Sequence, residues 1–168
     1  MLRRLILLRH TKSDWESGAD TDHARPLNAR GRRDAPRVAA KLVELGWLPA
    51  VVISSDAVRT RETWALMKDA FDGVEAAFTE DLYLGDLAAI RTAAAAVGPT
   101  ARCLMLIGHN PGWEDAASTL AQRGVSLTTC NAAMLTVEAD TWVAAFDDVD
   151  AWQLEQVVRP KELGTPRS

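Results

Sequence analysis

Residues 5–10 read Leu5-Ile6-Leu7-Leu8-Arg9-His10, an apolar run that stops at two basic side chains. A strand with one face in water alternates apolar and polar residues, whereas a central strand of a parallel sheet is apolar without interruption, because both of its faces are covered. Similar runs follow at residues 50–53 and 103–107. These three segments predict a largely parallel sheet.

Helical patterns separate these strands. Asn28 is a suitable N-cap for a first helix, and Gly46 is a suitable stop. Three further helices are expected at about residues 56–71, 86–97 and 113–124. The tail differs, since residues 132–138, 142–146 and 152–158 are apolar runs broken by Asp-rich turns and are predicted to be strands. Strands alternating with helices predict an α/β fold, a three-layer αβα sandwich whose C-terminal part is rich in β-structure.

Length and composition limit the function. The 168 residues fit one domain covering 1–168, and 48% hydrophobic residues exclude a disordered chain. A net charge of −4 argues against a nucleic-acid partner, which calls for a strongly basic surface. The basic side chains comprise fifteen Arg and four Lys, and eight of these arginines precede residue 38. Arginine binds phosphate and carboxylate groups with paired hydrogen bonds, so an anionic ligand is expected.

The same sequence predicts a cytoplasmic protein without a membrane anchor. The first apolar stretch is too short for a signal peptide, and no run approaches the ~18 apolar residues that cross a bilayer. The two cysteines, Cys103 and Cys130, form neither a disulfide framework nor a zinc motif.

Basic side chains follow the ends of the predicted strands. Arg9 and His10 end the first strand, Arg59 follows the second, and His109 follows the third. Ligands of open α/β sheets bind outside the carboxyl ends of the strands, so these side chains are expected to converge. Two imidazoles and several guanidinium groups suit a phosphoryl group, and a neutral histidine can attack it as a nucleophile. No metal is required, because the arginines supply the positive charge.

The segment Arg9-His10-Thr11 resembles the signature of the histidine phosphatase superfamily, also called phosphoglycerate-mutase-like. The longer segment 9–15 resembles the SixA branch, the small phosphohistidine phosphatases. Further matching segments follow in order at 25–28, 30–35, 54–55, 59–63, 108–112 and 159–161. The resemblance spans nearly the whole chain.

This resemblance implies a phosphoglycerate-mutase-like sandwich that needs no metal or cofactor. It implies that His10 is the nucleophile that becomes phosphorylated, that Arg9 and Arg59 clamp the phosphate, and that His109 donates to a phosphoryl oxygen. Thr11, Arg25 and Asn110 are further candidates for binding the substrate. Trp15 and Trp113 closely follow two of the motifs and are expected at the mouth of the site.

Two positions depart from the family pattern. Thr11 stands where the motif usually has glycine, and its hydroxyl is a candidate phosphate contact. Larger relatives supply a glutamate proton donor from the region that corresponds to residues 79–86. Here Glu80, Asp81 and Asp86 are open candidates, with Asp14 as another.

The leading hypothesis is therefore a phosphatase acting through phosphorylated His10, with a phosphohistidine-bearing protein domain as substrate and partner. A phosphatase of small phosphomonoesters on the same site is the alternative. A non-catalytic protein that binds phosphate is a third hypothesis, motivated by Thr11 and by the undefined acid.

Overall fold

The apolar run at residues 5–8 forms the middle of β1 (Leu2–Arg9) in the computed structural model, which describes residues 1–164. On one side β1 pairs in parallel with β4 (Cys103–Gly108), and on the other it pairs antiparallel with β5 (Ala132–Glu138). Leu5, Leu7 and Leu8 are fully buried because the strand has neighbours on both edges and helices on both faces.

Three more strands complete a six-stranded sheet: β2 (Val51–Ser55), β3 (Ala76–Thr79) and β6 (Gln153–Val158). The spatial order is β3-β2-β4-β1-β5-β6. Strands β1 to β4 run in parallel, and β5 runs against both of its neighbours. The expected mostly parallel sheet with a β-rich C-terminal part is confirmed.

Helices cover both faces of this sheet. On one face α1 (Ala29–Glu44) and α2 (Val58–Met67) pack against Ile6 and Leu8. On the other face α3 (Leu87–Ala95) and α4 (Gly112–Ala121) pack against Leu5 and Leu7. Successive residues of one strand thus feed two cores, which confirms the expected three-layer α/β architecture. Short 3₁₀ turns occur at Lys68–Ala70, Glu80–Leu82, Ala144–Phe146, Val149–Ala151 and Pro160–Glu162.

The first helix has the ends that its sequence predicts. The Asn28 side chain accepts a hydrogen bond from the Gly31 amide at 2.9 Å, which satisfies one of the free amides of the first turn. At the other end Gly46 follows the helix with a φ of 75°, a left-handed conformation that glycine adopts without strain. The helix therefore begins and ends where these two residues require.

The predicted strand at residues 142–146 is wrong. This segment contains a 3₁₀ turn at Ala144–Phe146, and its buried side chains are Trp142, Ala145 and Phe146. A spacing of three and four residues is the period of a helical turn, whereas a half-buried strand buries every second residue. The Trp142 indole also donates to the Ala101 carbonyl at 2.7 Å, which fixes the turn against the loop that precedes β4.

The edge strand β3 is not predicted from the sequence. It has only four residues, and three of them are partly buried rather than strictly alternating between core and solvent. Its position comes from parallel pairing with β2, in which Ser55 lies opposite Thr79. This contact is non-local and leaves little trace in the sequence of so short a segment.

Replacing Gly31 by alanine should destabilise the protein. A Cβ at this position would collide with the Lys12 carbonyl oxygen in the loop that follows His10. We expect the free energy of unfolding to fall by about 1–3 kcal/mol, the usual cost of overpacking, although alanine is the better helix former by ~1 kcal/mol. Urea denaturation measures the change. Gly98→Ala is the matched control, because nothing lies within 4 Å of its added Cβ. Equal stability changes in the two variants would contradict the close approach.

Candidate active site

Four of the predicted side chains meet at the carboxyl edge of the sheet. Arg9 lies opposite Gly108 in the β1–β4 pairing, so His10 and His109 leave neighbouring strands side by side, with ring centroids 5.2 Å apart. Arg59 reaches them from the first turn of α2. Together these residues line a cavity of about 240 Å³. Topology alone places them there, since parallel strands end at the same edge.

His10 is held as a neutral imidazole with one defined tautomer. Its Nδ1 lies 2.7 Å from the Thr11 carbonyl oxygen, which can only accept, so Nδ1 carries the proton. Nε2 therefore has a free lone pair, and it accepts from Arg59 Nε at 3.3 Å. Burial lowers the pKa of His10 well below its ordinary value, and His109, Arg59 and Arg9 lower it further against the opposing Thr11 contact. The result is an unprotonated nitrogen at the cavity at neutral pH.

A carboxylate, Asp22, lies against the arginines of the cavity. Its Oδ2 accepts from Arg59 at 3.0 Å and from the Tyr83 hydroxyl at 2.5 Å, and its Oδ1 accepts from Arg25 at 2.8 Å. These three donors hold the pKa of Asp22 far below its usual range, with the Tyr83 hydrogen bond as the largest cause. Asp22 is therefore an anion that neutralises part of the arginine charge.

His109 contacts the end of β2. Its Nε2 lies 2.8 Å from the Ser55 hydroxyl, whereas its Nδ1 is buried and has no hydrogen-bond partner among residues 1–164. Burial lowers the pKa of His109 to about 3, and the nearby Arg59 is the next largest cause. Like His10, this ring is neutral at physiological pH.

Arg9 and Asn110 are fixed by the loop before β5. Arg9 donates to the Leu127 carbonyl at 3.0 Å, and Asn110 donates to the same oxygen at 2.8 Å. Glu114 on α4 accepts from the Leu127 amide at 2.8 Å and so ties this loop to the helix. The Nε of Arg9 and the Oδ1 of Asn110 are buried without a partner in the described part of the chain. Arg9 thus keeps a donor for an anionic ligand.

Arg25 and Trp15 form one wall of the cavity. The Arg25 guanidinium carbon lies 3.6 Å from the centroid of the Trp15 ring, a cation–π contact that orients the guanidinium group. Two of its nitrogens, Nε and Nη1, are buried and unpaired within residues 1–164. Arg25 therefore combines a fixed position with donors for a ligand.

Thr11 does not line the cavity, contrary to the expected phosphate contact. Its side chain is fully buried, and its hydroxyl donates to the Gly31 carbonyl at 2.8 Å. The hydroxyl therefore joins the residue after His10 to α1, and Thr11 is not among the residues that line the cavity. Trp113 also lies away from the mouth, because it is fully buried and donates to the Leu106 carbonyl at 3.1 Å.

None of the four expected proton donors lines the cavity. The Asp14 carboxylate accepts from the Glu16 amide at 2.8 Å within its own loop. Asp86 caps α3 by accepting from the Ala89 amide at 3.1 Å. The side chains of Glu80 and Asp81 are exposed on the 3₁₀ turn after β3. Turn and cap geometry commits Asp14 and Asp86 to local contacts, which the sequence pattern did not reveal.

Sequence reasoning missed Asp22 and Ser55 as parts of the site. Asp22 lies in a polar loop with several similar acids, and the one sequence signal is its position three residues before Arg25, within reach of an ion pair. Ser55 could have been found, because it is the last residue of β2 and therefore ends at the same edge as His10 and His109.

Comparison with known proteins assigns the chain to a family. The family model for the histidine phosphatase superfamily (branch 1) matches residues 5–91, just over half of the chain. The chain belongs to the histidine phosphatase superfamily. The matched segment contains His10 and Arg59, and membership supports phosphatase activity.

Solved structures of SixA proteins are similar to the structure of this chain. A candidate phosphohistidine phosphatase SixA from Agrobacterium tumefaciens superposes with a TM-score of 0.78 at 25% identity, covering 94% of this chain and 98% of the other. A protein histidine phosphatase SixA in complex with tungstate gives a TM-score of 0.81 at 18% identity, covering 96% and 99%, and shows the fold alone. The expected SixA-type branch is confirmed.

Two further proteins are related to this chain in sequence. An uncharacterised chloroplastic protein of Arabidopsis thaliana is 41% identical over 172 residues, covering 94% of this chain and 78% of the relative. An uncharacterised protein of Mycobacterium tuberculosis is 34% identical over 122 residues, covering 68% of this chain and 70% of the relative.

Within residues 1–164, no helix has the length and apolar character needed to cross a bilayer. The expected cytoplasmic location stays a prediction.

Because the buried histidines are neutral, we predict that the free energy of unfolding falls as the pH is lowered. The unfolded chain takes up a proton on His109 near its ordinary pKa of 6.5, whereas the folded protein does so only near about 3. Unfolding therefore binds protons between these values, so the free energy of unfolding decreases as the pH falls through this window. His109→Gln should reduce that slope by up to about 1.4 kcal/mol per pH unit.

Chemical denaturation at a series of pH values from 6.5 to 5 measures the slope. Asn110→Ala is the control, because it removes a non-titrating side chain from the same cavity and should leave the slope unchanged. An unaltered slope in His109→Gln would show that His109 is not buried as a neutral ring.

Proposed function

We propose that the protein is a phosphatase that transfers the phosphoryl group of a phosphohistidine side chain in a protein to His10 and then to water. The observation that carries this proposal is the pairing of an unprotonated His10 Nε2 with a cavity whose described wall has Asp22 as its one carboxylate. Family membership and the SixA-type fold support the phosphatase chemistry.

In the first step the lone pair of His10 Nε2 attacks phosphorus. A bond forms between Nε2 and phosphorus, and the bond between phosphorus and the leaving group breaks with its electron pair going to the leaving group. The ring of His10 gains positive charge, which the Thr11 carbonyl stabilises through the Nδ1 proton at 2.7 Å. In the second step water attacks phosphorus, the electron pair returns to Nε2, and dihydrogen phosphate leaves and then adjusts its protons to the solvent pH.

Arginine donors stabilise the charge that spreads over the phosphoryl oxygens. Arg9 and Arg25 have buried nitrogens without partners in the described chain, and Arg59 already contacts the nucleophile. A single positioned donor of this kind contributes about 10²–10³ in rate. The arginines therefore supply the charge for this mechanism, and its independence of metal and cofactor remains part of the proposal.

The state of Asp22 favours cleavage of a phosphorus–nitrogen bond. An alkoxide leaving group needs a proton from a general acid, but Asp22 is held as an anion by Arg25, Arg59 and Tyr83. A phosphohistidine that carries a proton on its second ring nitrogen leaves as neutral imidazole and needs no proton from the enzyme. Ionised Asp22 is a weak acid for cleavage of an ester. Cleavage of a phosphoramidate does not need that acid.

The mouth of the cavity suits a protein substrate. Trp15 and Leu84 both line it, and both are exposed, with 73% and 59% of their surface accessible. Burial of exposed apolar surface is favourable, so these two side chains offer binding free energy to a substrate that extends beyond the cavity. A phosphohistidine-bearing domain would cover them, whereas a sugar phosphate would not.

Replacing the nucleophile tests the mechanism. Wild-type protein mixed with a phosphohistidine-bearing phosphotransfer domain should release phosphate and form an acid-labile phosphoenzyme. His10→Ala should abolish the phosphoenzyme and lower kcat/KM by about 10³-fold or more, as expected for loss of a nucleophile. Arg91→Ala, on the exposed face of α3, is the control and should behave as wild type. Undiminished turnover by His10→Ala would exclude the mechanism.

A substrate panel separates the three hypotheses. Higher kcat/KM on the phosphohistidine protein than on sugar phosphates supports the proposal, and the reverse order supports a phosphomonoesterase. Phosphate binding without any turnover or phosphoenzyme would support a non-catalytic binding protein.

Trp15 should matter for the protein substrate in particular. Trp15→Ala should raise KM for the phosphohistidine domain by about 5–10-fold, the size of effect expected for a contact aromatic, with a smaller effect on free phosphoramidate. Steady-state kinetics on both substrates measure the difference. Leu48→Ala removes another exposed apolar side chain, one that lies outside the cavity wall, and should change neither KM. Equal losses on both substrates would show that Trp15 acts through Arg25 and not through the partner.

A further inference from the structure

Ser55 and His109 share a buried hydrogen bond at the end of β2. The His109 Nε2 and the Ser55 Oγ are 2.8 Å apart, so one of the two atoms donates to the other. Both residues are buried, with relative exposures of 1% for His109 and 0% for Ser55. Solvent therefore does not supply alternative partners, and the hydrogen bonds within the protein decide the direction.

The hydrogen bonds of Ser55 leave one consistent direction. Its Oγ already accepts from the Ala57 amide at 3.3 Å, and within residues 1–164 the one acceptor in reach of its hydroxyl proton is His109 Nε2. If Nε2 donated instead, the hydroxyl proton would be buried without an acceptor, at a cost of about 1–3 kcal/mol. Ser55 is therefore the donor, and Nε2 is the unprotonated nitrogen.

The other ring nitrogen follows from this assignment. Burial holds His109 neutral, with its pKa lowered to about 3, so a ring whose Nε2 lacks a proton carries one on Nδ1. Nδ1 is also the buried nitrogen that finds no partner in the described chain. A donor in this position complements an anion, whereas a lone pair there would repel one.

We propose that Ser55 is a positioning residue that fixes His109 in the tautomer with the proton on Nδ1, so that Nδ1 donates to an oxygen of the phosphoryl group. The second half of this proposal rests on the phosphatase function proposed above, while the tautomer itself does not. Ser55 touches neither the nucleophile nor the phosphoryl group and acts through His109 alone.

Nitrogen-15 NMR of the ring nitrogens tests the tautomer without a substrate. In wild-type protein labelled at histidine, His109 should show a protonated Nδ1 and an unprotonated Nε2, with the signals assigned from the His109→Gln spectrum. Ser55→Ala should populate the opposite tautomer. Ser54→Ala is the matched control, because Ser54 is equally buried in β2 but its hydroxyl donates to the Ser55 carbonyl at 2.8 Å.

Inorganic phosphate is the probe for the function of the tautomer. Ser55→Ala should bind phosphate about tenfold more weakly than wild type, as expected for one lost charge-assisted donor, while Ser54→Ala stays within about twofold. Ser55→Thr, which keeps the hydroxyl, should recover both the wild-type tautomer and part of the affinity relative to Ser55→Ala.

The outcomes separate this inference from the proposed function. A proton on Nε2 in the wild-type protein, or the same tautomer in wild type and Ser55→Ala, would overturn the role of Ser55 and leave the phosphatase proposal standing. Equal phosphate affinity in wild type and Ser55→Ala would overturn the role of Nδ1 as a donor. Absence of turnover on every phosphorylated substrate would overturn the phosphatase proposal, while the tautomer and phosphate measurements would still decide the inference.

Discussion

The parallel pairing of β1 with β4 is the constraint on which the site depends. It sets Arg9 opposite Gly108, and the chain then turns out of both strands with a histidine at the next position. Both strands are buried between two apolar layers, so a slip in register would change which residues face each layer and would separate the two rings. The strand register thus helps to set the distance between His10 and His109.

Burial also sets the chemical state of the site. Desolvation is the largest cause of the lowered pKa of both histidines, and the neighbouring arginines act in the same direction. Each ring is then oriented by a partner outside the cavity, the Thr11 carbonyl for His10 and the Ser55 hydroxyl for His109. Under the proposed function and the proposed tautomer, the two neutral rings offer complementary atoms to one phosphoryl group, a lone pair from His10 and a donor proton from His109.

The sequence was informative where the structure depends on local pattern or on topology. The buried strands, the ends of α1 and the four side chains at the strand ends follow from apolar runs, caps and the geometry of parallel sheets. Side-chain directions in loops were not predictable, because they depend on contacts between distant segments. Thr11 turns toward Gly31, twenty residues away, and Asp22 meets Tyr83 across sixty-one residues.

Asp22 stabilises a cavity that is lined by several arginines. The same residue bears on which substrates the cavity suits. Bringing several guanidinium groups together costs electrostatic free energy, and the neighbouring carboxylate of Asp22 offsets part of this cost. Its hydrogen bonds to Arg25 and Arg59 also hold these donors in place. A carboxylate that must stay ionised to hold the arginines cannot also serve readily as a proton donor. Under the proposed function, the interaction that holds the arginine donors in place therefore favours leaving groups that depart without the help of an acid, and phosphohistidine is such a group.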